Sequence, residues 1–143
     1  MRRFLRWLPV VAWMGLIFSA SADTQSVART SRFLEPFCRW IYPSVTPEQL
    51  EAVRWIVRKG AHLGEFAIFG ALLFYALGRR RMWLAWGIAV VYAAADEFHQ
   101  TFIPGRNGCV QDVLIDAVGA AIGVAVCWGY LKWRERDIRD ERD

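Results

Sequence analysis

Residues 58–77 read RKGAHLGEFAIFGALLFYAL. From Ala61 onward this stretch is apolar for long enough to form a membrane helix, which needs roughly 17 to 25 mostly apolar residues. It opens, however, on Arg58, Lys59, His62 and Glu65. A helix turns by about 100° per residue, so Arg58, His62 and Glu65 fall within about 60° of one another and make a single polar stripe at the start of the span. Just upstream, Thr46 followed by Pro47, with Gln49 three residues after the cap, has the form of a capping box with proline at the first helical position. A helix from Pro47 to Leu77 would be roughly 46 Å long at 1.5 Å per residue. That exceeds the hydrocarbon core of a bilayer, so its first turns are expected in the interface, with Gly60 and Gly64 as places to bend.

Three further apolar windows, at 4–22, 82–98 and 113–133, have the same character. With 143 residues, 55% of them apolar and 8 Trp, the chain has no room for a separate soluble domain. The expected fold is an all-α integral membrane protein, a small four-helix transmembrane bundle with a partly helical, interfacial first outer loop. Its layout would be a first transmembrane helix at 1–22, an outward loop at 23–60, a core of three helices at 61–131 and a charged cytoplasmic tail at 132–143. The loop mixes polar residues with Phe33, Leu34, Phe37, Trp40, Ile41 and Tyr42, which suits the membrane surface, and Pro36, Pro43 and Pro47 are expected to break it into short pieces.

The net charge of +4 comes from basic residues in short clusters between the apolar runs, an anchoring pattern that does not suggest nucleic acid. Lys and Arg are retained on the cytoplasmic side. The N-terminal start, the turn at Arg79 to Arg81 and the tail after Leu131 hold most of the 18 such residues. Both termini are therefore expected in the cytoplasm, with the loops at 23–60 and 99–112 outside the cytoplasmic membrane. A basic start, an apolar run and Ala20-Ser21-Ala22 before Asp23 also describe a secretory signal, and cleavage at Ala22 would leave three crossings. Cys38 and Cys109 fall in the two outward loops and could pair in an oxidising compartment. Cys127 lies in the last span, and the simpler reading treats all three as small apolar fillers.

The third span ends in DEFHQTFIPGRNG at 96–108, and the fourth begins with Asp112 and Asp116, four apart on one face that continues to Gly119 and Gly123. Glycines at this spacing let a neighbouring helix approach closely. By the topology above, the polar starts of spans two and four and the polar end of span three meet at the outer end of the bundle. Ionisable groups at membrane depth are costly and are functional candidates by default. In an enzyme, Glu97, Asp96 or Glu65 would act as general base and His62 as acid or base. Lys59 and Arg106 would hold a phosphate, with Gln100, Asp112 and Asp116 completing the substrate-binding set. His62, Glu65, Glu97 and His99 also offer nitrogen and oxygen donors for a metal, at spacings that match no strong zinc signature. In a purely structural cluster, Lys59 and Arg106 would instead neutralise the carboxylates and pin the loop. The sequence identifies no cofactor.

These segments, RKGAHLGEFAIFG at 58–70 and DEFHQTFIPGRNGCVQDVLIDAVGAAIG at 96–123, resemble the signature of the VanZ-like family. Carried over by position, the motif residues are Lys59, His62, Glu65, Asp96, Glu97, Gln100, Pro104, Arg106 and Asp112, with Asp116 and His99 as softer elements. The family takes its name from a member linked to low-level resistance to the glycopeptide teicoplanin. The resemblance implies a multi-pass cell-envelope protein with an outward polar site acting on or binding a lipid or lipid-linked component. The expected partners are membrane lipids, a lipid-linked envelope precursor or a lipoglycopeptide, and further copies of the chain. A non-catalytic binding or structural membrane protein is the alternative. A proton-coupled transporter is a third reading, weakened because no carboxylate or histidine lies within the spans toward their cytoplasmic ends.

Overall fold

The computed structural model describes residues 2–22, 26–104 and 108–140, and among these every regular element is helical. In chain order they are α1 (Arg2–Leu5), α2 (Leu8–Ala22), α3 (Ser26–Ile41), α4 (Pro47–Leu77), a 3-10 turn (Arg79–Arg81), α5 (Met82–Gln100) and α6 (Val110–Asp140). The all-α expectation holds, and the windows at 61–77, 82–98 and 113–133 each lie within one helix. By length and apolarity α4 and α6, 31 residues each, can cross a membrane, whereas α2 is a shorter apolar helix. Helix α5 is 19 residues long but carries Asp96, Glu97 and His99 in its last turns.

Two local expectations are corrected. The first window is not one helix: Pro9 has no N–H to give the Leu5 carbonyl and its ring crowds that oxygen, so the chain turns at Arg6 and Trp7 before α2 begins. Pro36 does not break the loop before α4 but lies inside α3. A proline there forfeits one backbone bond, and the helix continues around it. Side-chain pairs flank this part of α3, with Arg39 on Glu35 at 3.1 Å and Glu35 reaching Arg54 of α4 at 3.2 Å.

Helix α4 starts as the sequence dictates. Thr46 Oγ1 accepts from the Gln49 N–H at 3.3 Å, and Gln49 Oε1 accepts from the Thr46 N–H at 2.9 Å. The helix then runs through Gly60 and Gly64 as one element. Its main partner is α6, and the two pack backbone to backbone. A Cβ on Gly119 would run into the Leu63 carbonyl oxygen, and one on Gly123 into that of Ala67. Gly70 of α4 meets the Ala120 carbonyl in return. Helix α5 brings a buried row of small residues, Ala85, Ala89 and Ala93, against Phe66, Phe69 and Leu73. Helix α2 closes the bundle with Val10 and Ile17. Trp13 Nε1 donates to the Glu65 carbonyl at 2.9 Å, and Tyr92 Oη donates to the Met14 carbonyl at 2.8 Å.

These contacts define two ends. At one, Gly78 turns the chain at φ 84°, Arg79 pairs with Glu135 of α6, and Arg6 sits 5.6 Å over the Tyr75 ring. The ends of α2 and α5 and the start of α6 gather at the other, beside the middle of α4. All three cysteines are free, so Cys38 and Cys109 are not joined.

Candidate functional site

The polar stripe of α4 faces the start of α6 because the glycine contacts fix the register of the two helices. Lys59 Nζ is bonded to Asp112 Oδ1, and Arg58 Nη2 lies 4.0 Å from the other oxygen of Asp112. One turn deeper, His62 Nδ1 faces Asp116 Oδ1 at 3.4 Å, near enough for an ion pair but not aligned as a hydrogen bond. Asp112 and Asp116 are both buried, as their common helix face requires.

Helix α5 closes the site from the side. Glu97 Oε2 accepts from the Cys109 N–H at 2.9 Å, and its Oε1 accepts from Gln100 Nε2 at 3.2 Å. The turn that supplies Cys109 lies tight against α5: a Cβ on Gly108 would meet the Glu97 carbonyl oxygen. Gln100 Nε2 also donates to Asp96 Oδ2 at 3.0 Å, and that oxygen takes a second bond from Ser21 Oγ of α2 at 2.6 Å. Side chains from α2, α4, α5 and α6 therefore meet in one buried polar layer.

The layer is unevenly satisfied. Asp112 holds the neighbouring cations. Asp116 is wholly buried, with neither carboxylate oxygen hydrogen-bonded. Asp96 Oδ1, Gln100 Oε1 and His62 Nδ1 are also buried without hydrogen-bond partners. Buried polar atoms are ordinarily paired, and an unpaired one costs about 1 to 3 kcal/mol.

Among the donors proposed for a metal, the structure unites a different set. His62, Glu97 and Asp116 each offer an atom within 4.8 Å of the other two. His99 is directed elsewhere, its ring stacked on Phe18 with centroids 4.5 Å apart. It stands two residues beyond Glu97, on roughly the opposite side of α5. Glu65 is half-buried on α4 and is not one of the three. Arg106 and Gly105 lie outside the described residues. Ser21 and the Cys109 backbone escaped the sequence reading. Ser21 had one usable signal: it is a polar residue at the end of an apolar helix that terminates at the same level as Asp96.

A family model described as VanZ/LLP1 matches residues 6–132 of the chain. This extends well beyond the 58–123 stretch that carries the motif and takes in α2, which supplies Ser21, and α3. No curated protein and no solved structure matches.

Proposed function

The chain belongs to the VanZ/LLP1 family, and on that premise we propose that it is a multi-pass protein of the cytoplasmic membrane whose outward polar layer binds or acts on a lipid or lipid-linked envelope component. In this role it contributes to glycopeptide resistance of the teicoplanin type. The observation that carries the reading is the inversion of polarity across the bundle. Leu16, Val91, Val118 and Val126 are exposed on the flanks, while Asp96, Glu97, Asp112 and Asp116 are buried between the helices. A protein surrounded by water favours the opposite arrangement, because apolar surface is driven inside and charge stays out.

Four crossings, by α2, α4, α5 and α6, put both termini in the cytoplasm under the positive-inside rule and the polar layer at the outer face. Phe33, Phe37 and Trp40, at spacings of four and three, share one exposed face of α3, which suits a helix lying in the interface. In this reading the first helix stays in the fold, where Ser21 bonds to Asp96 and Trp13 to the Glu65 carbonyl, contacts that cleavage at Ala22 would remove. Lys59 and Arg58, at the rim of the layer, carry the positive charge that a phosphorylated head group requires.

The test is native mass spectrometry of protein extracted in mild detergent, combined with teicoplanin susceptibility of cells with and without the gene. A bound phosphorylated or lipid-linked species, absent from Glu97→Gln protein that inserts at a normal level, supports the proposal. Lipid binding and susceptibility both unchanged in that variant would refute it. A purely structural cluster accounts for the Lys59 and Asp112 pair and for His62 facing Asp116 Oδ1, but it leaves Asp116 Oδ2 buried without a partner.

A further inference from the structure

We propose that His62, Glu97 and Asp116 form a binding site for one divalent transition-metal ion, with zinc as the best match. Each comes from a different helix, α4, α5 and α6, and the three donor atoms lie within 4.8 Å of one another in a buried setting. The His62 Nδ1 to Asp116 Oδ1 separation of 3.4 Å is too poorly aligned for a hydrogen bond. It does match the edge of a tetrahedron around zinc: two ligands each about 2.0 to 2.1 Å from the metal stand about 3.3 Å apart.

A second observation independent of proximity is that both oxygens of fully buried Asp116, and His62 Nδ1, have no hydrogen-bond partner. These are the atoms that would face the ion. Charge points the same way. Lys59 and Arg58 are turned to Asp112, leaving two carboxylates and one imidazole whose combined charge a dication would neutralise. One nitrogen and two carboxylate oxygens suit zinc or manganese, whereas a calcium or magnesium site would be built from oxygen alone.

The surroundings supply the supports that metal ligands usually have. Glu97 is oriented by Gln100 Nε2 and the Cys109 N–H, while its remaining lone pairs stay available. Three protein ligands leave a fourth position open to water or to a ligand oxygen, the arrangement of reactive zinc sites. The inference deepens the reading of this layer as a ligand site and rests on it.

The experiment is elemental analysis of the full chain in mild detergent, before and after equilibration with Zn2+ and removal of free metal. Thermal unfolding is recorded in parallel with and without EDTA. The wild type should hold about one ion per chain, and EDTA should lower its Tm until Zn2+ is restored. Asp116→Asn and His62→Gln should each weaken binding by at least tenfold and make Tm insensitive to EDTA. His99→Gln, whose ring stacks on Phe18 away from the cluster, should bind as the wild type does. Wild-type protein that is helical by circular dichroism, holds no stoichiometric metal after Zn2+ loading and shows no EDTA response overturns the proposal, whether or not the variants fold. Native mass spectra of the same samples separate the two readings. Lipid without metal defeats the ion site alone, and metal without lipid defeats the lipid reading alone.

Discussion

Where α4 meets the 79–81 turn, charged groups sit in the open. Arg79 and Glu135 pair with side chains 40% and 57% exposed, and Lys132 lies 4.8 Å over the Trp128 ring. At the opposite end Asp112 and Asp116 are 2% and 0% exposed, and only the first of them has a cationic lysine bonded to it. Water solvates the first set whatever the protein does, so those contacts can drift or vanish at little cost. The second set has given up its hydration and depends on what the fold, or a ligand, provides. The contrast shows where the chain tolerates disadvantage, and function is best sought there.

The comparison can be broken, and the largest effect is expected at Lys59. Lys59→Met leaves Asp112 buried without its bonded cation and should cost about 3 to 5 kcal/mol of stability. Asp112→Asn in the same chain should restore most of that, as measured by thermal unfolding in detergent. Ser21→Ala removes a hydroxyl bond to a buried carboxylate and should cost about 1.5 to 3 kcal/mol in the same assay. Glycine substitutions on α6 sharpen the contrast along a single helix. Gly119→Ala forces a methyl onto the Leu63 carbonyl and should cost about 1 to 3 kcal/mol. Gly129→Ala, toward the basic end with open space around it, should stabilise by about 0.5 to 1 kcal/mol. The smallest effect belongs to Arg79→Ala, within about 1 kcal/mol, because its pair with Glu135 is solvated.

Much of this was legible in the sequence because periodicity and helix chemistry are local. The Thr46 to Gln49 cap fixes where α4 starts. The four-residue spacing of Asp112 and Asp116 put both on the face shared with Gly119 and Gly123, and that face meets α4. What could not be read depends on rotation and depth between helices distant in the chain. His99 and Glu97 are close neighbours in sequence, yet one stacks on α2 and the other turns inward, so proximity in the motif does not bring both into one cluster. Sequence ranks Asp116 below Glu65 as a ligand, yet among the described residues it is the most deeply buried carboxylate. Ser21 reaches Asp96 across 75 positions, a contact no local pattern contains. The Pro36 expectation failed because a proline removes its own backbone bond and kinks a helix without having to end it when the other backbone bonds remain.

The most direct test of the claim that the buried acidic end exists for binding, not for folding, is the unfolding temperature of Asp116→Asn against the wild type. Both should be measured in mild detergent after removal of lipid and metal. A buried carboxylate that faces only His62 and makes no hydrogen bond is a burden on the empty protein if it serves a ligand, so the variant is expected to unfold at the same temperature or higher while losing ligand binding. If the variant is instead destabilised by about 3 kcal/mol or more, as expected for Lys59→Met, Asp116 is a structural member and the account is wrong.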